Sequence, residues 1–220
     1  MKIGKIAVFV LLFCMLSFTA FSLDVTVGLK GGVGLPHFSG PDYKDTLDLL
    51  SISTQAKFGF SVGAFVTLGL VDLVAVQLEA YYAFLGGKFG DDTGSIVQDS
   101  PVLQIPVLVK LRLQSGGLII TPLLGPVLML KAGDWKNELV DSDGNVLSSG
   151  TYTDEDVADF ILGAVAGIGF ELDMGANIVS VEARYMLGLT PRFDEDAFLN
   201  PDIRQNNLEV LVGIGFPVIQ

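Results

Sequence analysis

Glu79, Lys110, Arg112, Glu182 and Arg184 stand in segments where apolar side chains recur at every second position, and each takes the parity that the apolar residues leave. Lys30, Lys57, Lys131, Asp159, Glu171 and Glu209 do the same in their own segments, so that six bases and five acids share one parity. Opposite charges in near-equal number, confined to one side of alternating segments, are suited to pairing with one another where water is scarce. A buried charge is tolerated only when it is paired and hydrogen-bonded. The expected closest contact is Glu79 with Lys110 or Arg112 on a neighbouring segment, in a structural ion-pair network completed by Glu182 and Arg184.

A second group lies in the polar stretch 133–156, where Asp134, Glu138, Asp141, Asp143, Asp154, Glu155 and Asp156 accompany Trp135. This chemistry suits a surface that meets an extracellular protein, a polysaccharide or a cation, and the same charges also serve solubility and repulsion between neighbours. The run "DSDGN", 141–145, falls short of a calcium loop, because Gly144 comes too early and no glutamate closes it. His37, Ser39 and Asp42 would form a hydrolytic site only if held within hydrogen-bond reach of one another, which closeness in one Gly/Pro-containing stretch does not ensure. "GAVAGIGF", 163–170, echoes a dinucleotide fingerprint but lies inside a strand with no helix after it. No cofactor or metal cluster is implied, and a formal charge of −12 argues against nucleic acid as a partner.

The elements that must position these residues are strands. In "VAVQLEAYYAFLGG", 74–87, Val74, Val76, Leu78, Ala80, Tyr82 and Phe84 fall on one face, with Gln77, Glu79 and Tyr81 on the other. Half the chain is hydrophobic and its mean hydropathy is +0.55, yet past the N-terminus there is no continuous run of the roughly 20 apolar residues that a membrane-spanning helix needs. The pattern predicts eight strands at 25–35, 56–70, 73–85, 102–113, 118–132, 157–172, 177–189 and 207–218. Tight turns at "LVDL", "QSGG" and "DMGA" alternate with long polar links at 36–55, 86–101, 133–156 and 190–206, which hold 17 of the 25 acids.

Short turns at one end and long loops at the other are the layout of a transmembrane β-barrel. Lipid cannot satisfy backbone N–H and C=O groups, so such a sheet closes without an edge. Eight strands leave a lumen that side chains can fill. Glycines on the charged parity, including Gly63, Gly169 and Gly213, suit a crowded interior. Pro106, Pro122 and Pro126 predict bulges, since each lacks a ladder donor. Phe84, Phe89, Trp135, Tyr152, Phe160, Tyr185 and Phe193 fit aromatic girdles at the membrane interfaces.

Residues 1–22 read as a cleaved signal peptide: Lys2 and Lys5 precede an apolar stretch from Ile6 to Leu16, and Ala20 and Ser22 are the small residues at its cleavage site. Cys14 lies within that stretch, so residues 23–220, the expected barrel domain, contain no cysteine.

In order and spacing, "VGLKGGVG", "FGFSVGAFV", "VQLEAYYAFLGGKF", "LQIPVLVKLRL", "LLGPVLMLKAG", "DFILGAVAGIGFEL", "VEARYMLGLTPRF" and "LEVLVGIGF" resemble the outer-membrane β-barrel domain family of small porin-like, PorT-like proteins. The resemblance implies an all-β, eight-stranded antiparallel up-and-down transmembrane barrel in the outer membrane of a diderm bacterium, seated in the lipid bilayer. It carries no catalytic residues. The expected function is structural or interactive, with four long acidic loops at the cell surface. A narrow porin or a transport or secretion component is the alternative, and an outer-membrane hydrolase relying on His37 is a third reading.

Overall fold

The computed structural model describes residues 24–41, 43, 53–55, 57–90, 94–151, 158, 160–193 and 202–219. The signal-peptide reading of residues 1–22 lies outside them. Among the described residues there are twelve strands: β1 (Asp24–Ser39), β2 (Ser53–Gln55), β3 (Gly59–Val71), β4 (Val74–Gly90), β5 (Gly94–Leu111), β6 (Leu113–Ser115), β7 (Leu118–Lys131), β8 (Lys136–Asp141), β9 (Val146–Thr151), β10 (Phe160–Asp173), β11 (Ile178–Gly188) and β12 (Arg204–Ile219).

The eight long strands pair in the ring β1–β3–β4–β5–β7–β10–β11–β12 and back to β1, every pair antiparallel. Neighbours in sequence are neighbours in space, and the β1–β12 ladder from Val25↔Ile219 to Ser39↔Arg204 closes the barrel. Alternation decides which way each side chain points. On β1, Val27, Leu29, Val33 and Leu35 face outward while Lys30 is buried; on β4, Leu78 and Tyr82 face outward while Gln77, Glu79 and Tyr81 are buried. The outer face is thus apolar around the ring, continued by Val210, Val212 and Ile214 on β12 and by Val181 and Leu187 on β11. Tyr82, Phe84 and Phe60 cluster on that face, with centroids 5.1 Å apart for Tyr82 and Phe84 and 4.3 Å for Phe60 and Phe84.

The three tight turns fall where alternation stops, at 72–73, 116–117 and 174–177, with Gly116 (φ 63°) and Gly175 (φ 82°) in the left-handed conformation that favours glycine. At the opposite end the structure departs from the expected loops. β4 and β5 run on to Gly90 and from Gly94 as one long hairpin, β2 pairs with the tip of β4, and residues 136–151 form the β8–β9 hairpin added to the outer end of β5. These strands were not visible in the pattern because both of their faces lie beyond the bilayer, where nothing selects strict two-residue alternation.

The prolines also act differently from expectation. The register from Leu78↔Val107 to Tyr81↔Gln104 is unchanged across Pro106, and that from Pro106↔Val127 to Val109↔Leu124 is unchanged across Pro126. At Pro122 the β5–β7 ladder pauses after Lys110↔Leu123 and resumes in the same register at Leu113↔Ile120. Each proline interrupts the ladder without inserting a residue, because the second neighbour of its strand remains paired.

Placing a cation on the outer face tests the assignment of faces. Leu78→Arg should lower the free energy of folding into lipid vesicles by about 2–4 kcal/mol. Leu147→Arg, beyond the bilayer on β9, should change it by less than about 0.5 kcal/mol. Urea titration of the refolded barrel reads both.

Candidate functional site: an ion-paired lumen

The strand ring turns the charged parity inward, and the inward charges meet across the axis. Arg184 on β11 donates from Nη1 to Glu79 Oε2 (2.5 Å) and from Nη2 to Glu79 Oε1 (2.7 Å) on β4. In the ring, β4 and β11 lie on opposite walls, so this fork-to-fork pair spans the lumen. Arg184 also holds Glu182 on its own strand, from Nε at 2.9 Å and from Nη2. Lys30 on β1 bridges Glu79 (3.2 Å) and Glu182 (2.6 Å), while Lys110 on β5 joins Glu182 (3.1 Å) and Glu171 of β10. Gln77 donates to Glu79 and accepts from Lys110 (3.2 Å) and from Thr67 (2.7 Å). The charged members come from β1, β4, β5, β10 and β11, with Thr67 added from β3, and Arg184 at the centre is 1 % exposed.

The expected contacts are corrected here. Glu79 pairs with Arg184 and Lys30, not with Lys110 or Arg112, and Arg112 sits at the turn end of the barrel against Asp24 at 3.5 Å, apart from the network. In so narrow a barrel, long inward side chains reach the axis before they reach the next strand. Glycine opens the way for them: a Cβ on Gly213 of β12 would lie 2.6 Å from both Lys30 Cγ and Ser180 Oγ, and one on Gly169 of β10 would lie 2.9 Å from Glu182 Cγ. Lys30 therefore crosses β12 to reach Glu182 on β11.

The inward residues nearer the long-loop end were not anticipated. Leu85, Val102, Leu108, Leu123, Val127, Met129, Ile161, Val165 and Met186 pack there with Trp135 as an apolar plug. Trp135 is 2 % exposed and donates from Nε1 to Pro101 O at 3.4 Å, so the reading of this residue as a surface platform or girdle aromatic is overturned. Its apolar ring is worth more inside the mouth, where Arg192 stacks on it. The Arg192 guanidinium lies 4.4 Å from the Trp135 ring and 4.3 Å from Phe38, and it donates to Ser100 Oγ at 2.6 Å. Nearby, Lys57 donates to Leu85 O (3.0 Å), Gln98 O (2.5 Å) and Asp99 Oδ1 (2.6 Å). Burial lowers the pKa of this ammonium, which lies beyond the spanning segments, and the Asp99 carboxylate opposes that shift. Gly86 (φ 130°) leaves the space: a Cβ there would meet Lys57 Nζ at 2.7 Å. Gln205 Nε2 of β12 reaches Gly86 O on β4 at 3.0 Å. Lys57 keeps the inward side that its parity predicts although it precedes β3, whereas no periodicity marks Arg192, which sits in irregular chain after β11.

Of the acidic stretch, Asp134 and Asp143 are exposed, Glu138 lies on β8, and Asp154, Glu155 and Asp156 lie outside the described residues. Asp141 starts the β8–β9 turn. Its carboxylate accepts from the backbone N–H of Asp143 (2.9 Å) and Asn145 (2.8 Å) and from Asn145 Nδ2 (3.0 Å). The Asn145 hydrogen bonds hold its carboxyl below the usual aspartate range. "DSDGN" is thus a hairpin turn, with Gly144 at φ 87°. His37 directs Nδ1 to Leu35 O (3.2 Å) and Nε2 to the Tyr185 hydroxyl (3.4 Å), while Ser39 Oγ accepts from Asn206 (2.8 Å); Asp42 lies outside the described residues. At the turn end, a cavity of about 300 Å³ opens below the ion network, lined among others by Asp24, Lys110, Arg112, Glu171 and Asp173.

A closed antiparallel ring with an apolar outside and a charged, filled inside defines a transmembrane β-barrel of the outer-membrane type. The chain belongs to the outer membrane protein beta-barrel domain family, whose profile matches residues 19–194, and it is an outer-membrane protein. Solved structures similar to it include Ail, the attachment invasion locus protein of Yersinia pestis, in complex with the heparin analogue sucrose octasulfate. The two share 13 % identity over 88 % of this chain and 99 % of that one, with a TM-score of 0.41. OprG of Pseudomonas aeruginosa is similar at 10 % identity over 90 % of this chain and 96 % of that one, TM-score 0.43. Neisserial surface protein A is similar at 15 % identity over 89 % and 97 %, TM-score 0.38. No curated protein sequence matches the chain.

Arg184→Ala should destabilise the barrel by about 3–5 kcal/mol, because it leaves two buried carboxylates short of their counter-charge. The double variant Glu79→Gln with Arg184→Met should recover part of that loss, as read by urea unfolding in vesicles. Trp135 is the chain's single tryptophan. Its emission in the folded barrel should be blue-shifted and resistant to iodide quenching, and unfolding should reverse both.

Proposed function

We propose that this outer-membrane protein is a sealed scaffold with a structural and interactive role, which holds its polar segments at the cell surface for recognition. The observation that carries this reading is the Arg184–Glu79 pair across the lumen, with both side chains buried and further tied by Lys30 and Glu182. The apolar plug around Trp135 and the Arg192 stack beyond it fill the same axis a second time. A lumen occupied in this way supports a mechanical role for Glu79, Lys110, Glu182 and Arg184, with Arg112 acting at the rim instead. Recognition then falls to segment 134–151, carrying Asp134, Glu138, Asp141 and Asp143, together with the acidic remainder of the four long links, including Asp154, Glu155 and Asp156. Partners of the classes considered from sequence, an extracellular protein, a polysaccharide or a cation, would meet the protein there.

The narrow-pore reading draws on one observation, the cavity that opens at the turn end. Planar-bilayer recordings separate the two. The sealed scaffold should show no steady conductance at neutral pH, and Arg184→Ala should introduce leak events. Steady unitary currents from the unaltered protein would establish the pore instead. Protease treatment of intact cells should trim the long links and spare the eight spanning strands.

A further inference from the structure

Beyond the bilayer the sheet is no longer closed. β8 adds to the outer end of β5 and β9 adds to β8, so β9 ends the sheet among the described residues. All six residues of β9, "VLSSGT", are exposed, with Val146 at 54 % and Leu147 at 63 %. The strand carries neither charge nor proline, the two commonest devices that keep an edge from pairing. Its outward row of N–H and C=O groups is a template for another extended chain. Segment 134–151 presents four acids, Asp134, Glu138, Asp141 and Asp143, against one base, Lys136. On the face that runs from β5 across β8 to β9 lies a depression of about 270 Å³, lined by Ile96, Asn137, Leu139, Ser148 and Gly150 among others.

We propose that β9 captures an extended, basic segment of a partner protein by strand addition. This rests on the reading of segment 134–151 as the recognition surface. Backbone hydrogen bonds supply the affinity, and basic side chains at alternate positions meet the acids of the hairpin. A second copy of this chain fits less well, since two hairpins with the same acidic excess repel when laid side by side.

The test uses the full chain refolded in zwitterionic nanodiscs, with an extended peptide of alternating lysine and valine as the probe and empty nanodiscs as the blank. Fluorescence anisotropy should show binding that weakens by roughly tenfold or more when alternate peptide amides are N-methylated, and by a similar factor when glutamate replaces lysine. Leu147→Lys, which puts a charge on the edge, should weaken binding to the same degree. Equal binding of the methylated peptide would overturn strand addition while leaving the recognition surface in place. Binding that survives replacement of residues 136–151 by a Gly/Ser linker would overturn both readings. Absence of binding by any of the peptides would overturn the strand proposal. So would sedimentation of the peptide-free protein as a dimer that Leu147→Lys dissociates, which would assign the edge to a second copy.

Discussion

Hydrocarbon offers no hydrogen-bond partner, and every unpaired backbone group within it costs several kcal/mol. That constraint governs the whole molecule. It requires that β1 find β12 although they are far apart in sequence, and it fixes the ring as the unit of stability, since no subset of the eight strands satisfies its own edges. It also assigns the faces. Each strand shows lipid one side, and what that side excludes must be accommodated on the axis. Lys30, Glu79, Lys110, Glu182 and Arg184 are inside because outside is closed to them, and they then have to neutralise one another.

Neutralisation across the axis is more demanding than across a ladder. An ion pair between adjacent strands adds little information, because the ladder already sets their relative position. Here Arg184 of β11 reaches β4, Lys30 of β1 reaches both, and Lys110 of β5 reaches β11 and β10. Each bond therefore checks the register of strands that do not touch. A slip of one residue in any of the five would turn its charge into lipid and leave its partners uncompensated. A buried network of this kind is poor evidence for stability in itself, given the desolvation its members undergo. Its contribution is to penalise every other arrangement of the same strands.

The parts of this design visible in the sequence are those the bilayer selects directly. Alternation in 74–84 locates β4 and its faces, and the same holds for β1, β10, β11 and β12. Strand β7 was harder to read because both of its faces are apolar: Leu118, Leu124 and Leu130 point outward, while Ile119, Leu123, Val127 and Met129 point inward. Its orientation comes from β10, to which it is paired without interruption from Phe160↔Leu130 to Leu172↔Leu118. Glu79, Lys110, Glu182 and Arg184 lie in the network as expected, while Arg112 does not and Lys30 and Glu171 join it, since parity gives the side of a residue but not its height or lean. The glycines that let Lys30 and Glu182 cross a strand carry that missing information, and it is readable only once the register is known. Arg192 and Trp135 were out of reach altogether, because each is placed by tertiary stacking at the mouth rather than by the period of a strand.

The same constraint explains why the outer end of the molecule is built differently. Above the lipid, water satisfies an open edge, so the sheet is free to shed its closure, and β2, β8 and β9 branch from the ring where the bilayer stops acting on it. Rigidity is still supplied from below: Lys57 ties β4 to β5 through Leu85, Gln98 and Asp99, and Gln205 ties β12 to β4. The β8–β9 hairpin then projects from a base that cannot splay. An edge held in one conformation loses less entropy on accepting another strand than a loose one does. Closure within the membrane and openness above it are thus one arrangement, in which the part of the sheet that must have no free groups holds steady the part that does.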